Sequence, residues 1–536
     1  MEDARQFLMH QYASQHQTNK DEFNDTRANY DVRTNVVPRH RVLPKEVKSP
    51  EYYNYVPDSL TAVSSAQICK VNVASNAAIS ASQNFAEACA FSKPVTLHAL
   101  PAVGKTLAAY YSEHPSFIWI EDGKITPKAM AAIAELSTSD RVGLSPSDYR
   151  VEIPNGLSND PEARAKELLR FELNLSSKVL TYIHDAVRGR VDPNRISGYH
   201  DLPRKEVKLI DALKDVAESE DVAKYLADKN PHNPQFQALV AELARLLAEG
   251  REDLPSKKNL SSKSGPKKTK HTVAEHSIPV KISKIRLAME RLRWLPNDLG
   301  DRYVFINEPA FVVSYVVDQK DVLSMRAVVG KPSTQTYFFM EHIKSVEYNP
   351  YWNVPRSIVV NEMLPKLARN SSYLDRLGYE VTNARGDKIP SRKVSWSRLA
   401  SSDADINVRQ PPGPKNALGR LKIEFPNKHA IYMHDTPERK LFDKDRRALS
   451  HGCVRVEHPR QLAAALLGKT VGHVSAKIDD EKNSTEAVRE NISVYVAYFT
   501  AWPDTRGEIH YYDDVYKRDS YLSEALRKTD AVRLGS

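Results

Sequence analysis

Residues 429–458 read HAIYMHDTPERKLFDKDRRALSHGCVRVEH. Cys453 lies in the run Ser450-His451-Gly452-Cys453-Val454-Arg455. A glycine before the cysteine lets the backbone turn tightly and bring amide N–H groups near the sulfur. Such donors stabilise the oxyanion that forms when a thiolate attacks a carbonyl. His434 ends the strand-like run AIYMH, 19 residues before Cys453, far enough to return on a neighbouring element and face the thiol. A free cysteine has a pKa of about 8.5, so a paired imidazole is needed to raise its thiolate fraction near neutrality. Taken singly, each residue has a plainer reading: a lone cysteine packs as a small hydrophobe, and a histidine satisfies a strand end. A zinc site of His434, His451, Cys453 and His458 lacks the paired ligand spacing of structural zinc.

Working outward, the text on the C-terminal side of residue 285 is rich in strands. YVFINEPAFVVSYVVDQKDVLSMRAVVGK alternates and is heavy in Val, Tyr and Phe, and SVEYNPYW, LKIEFP and NISVYVAYFTAW read the same way. Helical runs intervene at SIVVNEMLPKLAR and PRQLAAALLG. Upstream the pattern is helical. Thr126-Pro127 marks a helix start, and residues 161–190 form a long amphipathic helix closing at Gly189 before Pro193. Two more helical runs lie near 206–229 and 233–249. The fold class is therefore α+β, with a mainly helical N-terminal domain over 51–250 and a β-rich domain over 285–530. Residues 1–50 read as a flexible lead-in, and 251–284 as a basic linker or loop, Ser/Lys/Pro/Gly-rich over 251–275.

The whole chain has 536 residues, enough for about three domains. Its 41% hydrophobic and 27% charged residues exclude wholesale disorder. The cleanest apolar run, Phe311 to Val317, is far short of the roughly 20 residues of a membrane-spanning helix. Net charge is 77 − 68 = +9. That mild excess suits an anionic polymer but does not imply nucleic acid, and the linker lysines read as solvated. Neither an internal repeat nor a Gly-rich phosphate loop is present. Cys69 and Cys89 lie close in sequence and Cys453 stands apart. A disulfide with one free thiol, and two buried reduced thiols, both remain open on cysteine chemistry alone. The first twenty residues lack the basic and apolar regions of a signal peptide. The chain is then either cytoplasmic or numbered from after a removed signal.

Histidine, fifteen intervening residues, then Ser-His-Gly-Cys resembles the active-site signature of the YkuD-type L,D-transpeptidases. Asn349-Pro350, Trp352-Asn353-Val354-Pro355, Ser357-Ile358, the run Pro412 to Gly419, and His434-Asp435-Thr436-Pro437 resemble the catalytic domain of the large Gram-negative members. Gly143-Leu144 and Asp148-Tyr149 look like their N-terminal scaffold domain. The resemblance covers 285–520 strongly and 95–250 weakly. It differs in two places: the basic linker stands where relatives carry a peptidoglycan-binding module, and Arg455 stands where many small members have asparagine.

The resemblance implies an enzyme that crosslinks peptidoglycan stem peptides 3→3 through a cysteine thioester, with no cofactor or metal. L,D-carboxypeptidase activity, tethering of envelope proteins, and a non-catalytic wall-binding scaffold are the rival readings. It implies Cys453 as nucleophile and carbapenem target, His434 as base and Asp435 as its orienter. Gly452, Ser450 and His451 become oxyanion and loop support, with Tyr432, Arg455 and Trp396 against the substrate. It further implies a capping insertion at about 370–410 and a periplasmic location, in which Cys69 and Cys89 are paired.

Overall fold

The computed structural model describes residues 52–69, 85, 88–89, 94–154, 158–252, 277–396 and 406–534. The lead-in 1–50 lies outside the described residues, as do residues 253–276 of the expected linker. The chain forms two compact units: a helical one, Tyr52–Gly300 with Tyr498–Ser536, and a sheet unit, Asp301–Ala497. The α+β class is thus observed. No helix among the described residues is long and apolar enough to cross a membrane.

In the helical unit, Pro127–Ser137 starts where expected: the Thr126 hydroxyl accepts the Ala129 N–H at 3.2 Å and Pro127 fills the first position. The long helix Pro161–Arg188 is capped by Asp160 and ends at Gly189, φ 80°. Its buried Glu172 accepts hydrogen bonds from Tyr111 (2.6 Å) and from the amides of Ile118 (2.8 Å) and Trp119 (3.1 Å). That carboxylate pins the preceding loop to the helix. Cys69 and Cys89 form a disulfide with Cα atoms 5.6 Å apart, leaving Cys453 free.

Two segments fall on a different side of the boundary from the sequence reading. Helix Ile278–Trp294 begins inside the expected linker, with Pro279 in its first turn, and belongs to the helical unit. There the Arg293 guanidinium donates to Val142 O at 2.6 Å. Residues from Tyr498 onward also return to this unit. In the C-terminal helix Arg518–Leu534, Arg533 reaches Asp185 (2.5 Å) and Asp148 (2.6 Å), both fully buried, and Arg190 binds Asp148 at 2.7 Å. Such long-range pairing leaves no local pattern in the sequence.

The sheet unit contains β1 (Arg302–Asn307), β2 (Val312–Val317), β3 (Lys320–Gly330), β4 (Phe338–His342), β5 (Ser345–Tyr348), β6 (Leu421–Glu424), β7 (Met433–His434), β8 (Ala448–Ser450), β9 (Val454–Val456), β10 (Ser484–Ala487) and β11 (Ser493–Ala497). Their spatial order is β10-β5-β6-β7-β9-β3-β2-β1-β11-β4, with β8 also paired to β3. Most neighbours are antiparallel, but β7–β9, β1–β11 and β8–β3 are parallel. Alternation sends Val304, Ile306, Ile423, Met433, Val454 and Val456 into one core. Helices Pro459–Leu467 and Val471–Asp479 cover it with Leu462, Leu466, Val474 and Ile478.

Between β5 and β6, which pair directly, the chain makes a long excursion with its own three-stranded sheet: Trp352–Asn353, Asn407–Gln410, Glu380–Thr382. Loop closure grows only logarithmically with length, so such an insertion costs the hairpin little. Asn416 closes its base by donating to Pro350 O and Pro411 O, both at 2.9 Å. The insertion expected at 370–410 therefore starts near Trp352. Its core includes Val354, Val359, Met363 and Leu367, all upstream of 370. Residues 397–405 of it lie outside the described residues.

Replacing Arg533 with alanine takes the guanidinium from buried Asp185 and leaves Asp148 to Arg190 alone, which should cost about 3–5 kcal/mol. Burial pushes the Asp185 carboxyl up, but the Arg533 and His184 contacts outweigh it and hold the group well below the carboxylate range. Its contribution is present above an unfolded value of about 4 and is lost as pH falls through the folded one. The wild-type advantage in helical-unit melting, followed by circular dichroism, should be large at pH 7 and shrink on strong acidification.

Candidate active site

The site is built on the parallel pair β7–β9, where Met433 faces Val454 and His434 faces Arg455. Val454 N–H donates to Tyr432 O at 3.0 Å. Met433 and Val454 are fully buried in the core. Side chains alternate along a strand, so Tyr432 and His434 lie on the opposite face, with Cys453 and Arg455 alongside. β6 extends this face by placing Lys422 opposite His434, and β5 by placing Glu347 opposite Lys422.

His434 is buried, and its Nδ1 lies 2.5 Å from the backbone oxygen of Asp435. A carbonyl only accepts, so Nδ1 carries the proton and Nε2 keeps its lone pair. Burial, then the nearby Arg455 and Lys422 cations, push the His434 pKa down to about 3 against the Asp435 bond. The imidazole is therefore neutral across ordinary pH. Burial raises the Cys453 thiol; hydrogen bonds from the Tyr432 backbone and hydroxyl, with Lys422 and Arg455, partly offset this. Both directions leave Cys453 a neutral thiol and His434 a neutral imidazole near pH 7, with the Cys453 Sγ donating towards Ala430 O at 3.6 Å.

The carbonyl that orients His434 is itself held. The Asp435 carboxylate accepts the Arg420 amide at 3.0 Å and meets Arg439 at 3.3 Å, while the Asp435 amide donates to Leu421 O at 2.9 Å. Gly419 makes room for it: at φ 62° a Cβ there would come within 2.3 Å of the Asp435 carboxylate. The cysteine loop is clamped from within. Ser450 Oγ donates to Cys453 O (2.6 Å) and accepts the Gly452 N–H (3.1 Å). Gly452, at φ 120°, accepts the Thr336 hydroxyl at 2.8 Å.

Residues 301–478 match the family model of the L,D-transpeptidase catalytic domain, YkuD, and residues 105–243 that of the Scaffold domain. Residues 301–478 are a YkuD L,D-transpeptidase catalytic domain. A Haemophilus influenzae protein provisionally named an L,D-transpeptidase is 32% identical over 253 residues, or 47% of this chain. The match spans about half of that relative, 51% of its length.

In this YkuD domain Cys453, His434, Tyr432, Asp435, Ser450, Gly452 and Arg455 come together, but three expectations change. The Gly452 amide turns inward to Ser450 Oγ, so it is not an oxyanion donor; the Cys453 amide has no acceptor among the described residues. Trp396 is not a substrate wall. It is 6% exposed, donates its indole N–H to Ser391 O at 2.8 Å, and packs with Val381, Leu374 and Val408 as the insertion's core. One Arg455 nitrogen is already engaged by Glu438 and, at 3.4 Å, by Thr436, which limits the expected fork towards a substrate carboxylate. His451 points outward: its Nε2 lies 2.5 Å from Glu362 of the insertion and 3.3 Å from Lys331.

Sequence reasoning missed Lys422, Glu347, Thr336 and Glu362. The alternation in LKIEFP signals that Lys422 lies opposite the buried Leu421 and Ile423, but only the sheet order shows that it adjoins His434. Lys422 is paired to Glu424 and, at 3.3 Å, to Glu347, and its ammonium lies 4.8 Å from the Tyr432 ring centre.

Tyr432→Phe removes a hydrogen bond to the sulfur, a contact worth about 1.5–3 kcal/mol to a charged group. Alkylation of Cys453 at pH 7 should slow roughly tenfold or more, and its pH profile should move upward. In the wild type, alkylation should climb with pH beyond 8 rather than plateau from pH 5, because His434 is neutral throughout. A plateau would reveal a preformed thiolate–imidazolium pair.

Proposed function

We propose that this chain is a peptidoglycan L,D-transpeptidase that forms 3→3 crosslinks through a Cys453 thioester. The observation that carries this is the buried, neutral His434, its Nδ1 committed to Asp435 O, on the strand beside the free thiol of a YkuD domain. A donor tetrapeptide, ending in a diamino acid and D-Ala, presents the diamino-acid carbonyl to Cys453. His434 Nε2 takes the thiol proton as sulfur attacks. The Cys453 amide and the Tyr432 hydroxyl bind the developing oxyanion. The C–N bond then breaks, the His434 proton passes to the leaving amine, and D-Ala departs. An acceptor side-chain amine attacks the thioester, His434 accepts its proton, and the thiol is released. The net change is one peptide bond exchanged for another.

The Cys69–Cys89 disulfide supports work in an oxidising compartment, as the periplasm is, where the wall polymer lies. Envelope proteins remain a second class of acceptor for the same thioester. The insertion, joined to the cysteine loop through Glu362 and His451, serves as a cap on the site.

Incubation with a disaccharide-tetrapeptide should yield, by mass spectrometry, a crosslinked dimer lacking one D-Ala. Tripeptide alone would make water the acceptor and the chain a carboxypeptidase, while an unchanged substrate would leave a wall-binding scaffold. Cys453→Ala should abolish turnover with the fold intact, and His434→Ala should slow acylation by roughly 10²–10⁴-fold. A carbapenem should add one drug mass, at Cys453.

A further inference from the structure

We propose that the helical unit holds an oxyanion-binding site formed by Arg204, Lys205 and Arg293, which takes a carboxylate or phosphate group. Arg293, on helix Ile278–Trp294, is fully buried. One terminal nitrogen donates to two neutral oxygens, Val142 O (2.6 Å) and Asn230 Oδ1 (2.8 Å). Its Nε and Nη1 are buried without a partner, and its cationic face lies 5.1 Å from the Phe236 ring centre. The half-buried Lys205 likewise ends on a neutral amide, Asn297 Oδ1, at 2.8 Å. Arg204 donates to Arg188 O (3.1 Å) and Val191 O (3.2 Å), and its Nε is also buried and unpartnered. Its nearest carboxylate, on Asp192, is 3.9 Å away. Among the described residues, Lys205 and Arg293 form no salt bridge at all.

These cations oppose one another. Burial, then Arg293, then Arg204, push the Lys205 ammonium down to about 8. Burial lowers the Arg293 guanidinium too, against the field of Glu290, Tyr182, Tyr149 and Asp185. Arg188, at the end of Pro161–Arg188, is pushed down by burial and Arg204, with Asp192, Asp58 and Asp185 opposing. Buried charges are ordinarily paired, because desolvation without a counter-charge is costly. The carboxylates here act through the field and leave these buried nitrogens unbonded. An oxyanion from solvent would satisfy them with charge-assisted hydrogen bonds of the geometry guanidinium groups favour. Arg204, 21% exposed at its side chain, and the half-buried Lys205 are both reached from solvent. The site is independent of the thioester chemistry.

An ammonium partly deprotonated near neutrality is open to amine reagents, and a bound anion would reprotonate and shield it. The full chain is labelled with trinitrobenzenesulfonate at pH 7.5, and Lys205 is compared by peptide mass spectrometry with the exposed Lys320. Inorganic phosphate or a disaccharide-tetrapeptide is added, with sodium chloride at matched ionic strength as control. Labelling of Lys205 should fall at least tenfold relative to Lys320. Protection by phosphate identifies a phosphate-type ligand, and protection by the peptide alone a stem carboxylate. Arg204→Gln should weaken that protection at least tenfold while leaving the melting profile intact; an unaltered response in this variant overturns the proposal. No protection by either anion, or equal protection by chloride, also overturns it.

Discussion

The pairing of two short parallel strands, Met433–His434 and Val454–Val456, is the constraint on which the site depends. Its register places Met433 and Val454 in the core, and alternation then leaves the flanking residues together on the opposite face. A slip of one residue would turn His434 towards the apolar core and move two core side chains to the opposite face. The hydrophobic core thus sets the chemistry: Met433 and Val454 need not touch substrate to determine where histidine and cysteine stand.

Around that pair, protein groups replace water with fixed partners. Asp435 O selects the imidazole tautomer, and the Asp435 amide and carboxylate are tied to Leu421 and Arg420. Ser450 closes the cysteine loop on itself, and Thr336 holds it from β3's exit. Arg455 and Lys422 add positive charge to a buried face, which depresses the imidazole and favours a thiolate once it forms. In the proposed reaction, a neutral thiol and a neutral imidazole under these conditions keep Cys453 latent until a carbonyl arrives.

The insertion and the C-terminal return show a different logic. The excursion between β5 and β6 carries its own apolar core, including Trp396, so it is packed structure rather than loose loop. The C-terminal helix closes a buried network in the helical unit through Arg533, whose partners lie hundreds of residues earlier in the chain. Both features depend on contacts between distant segments, and these decide where each compact unit ends.

By itself the sequence determined the two-part α+β character and the helix caps at Thr126 and Gly189, and it singled out the candidate histidine and cysteine. These are legible because capping, alternation and active-site spacing are local, written in residues a few positions apart or in one short signature. Only the tertiary structure decided that helix Ile278–Trp294 joins the helical unit, that Trp396 is a core anchor, that the Gly452 amide turns inward, and that Lys422 adjoins His434. Those outcomes rest on sheet order, burial and pairings between segments far apart in the chain. Their physical cause is the competition of each side chain for partners that the sequence does not place side by side.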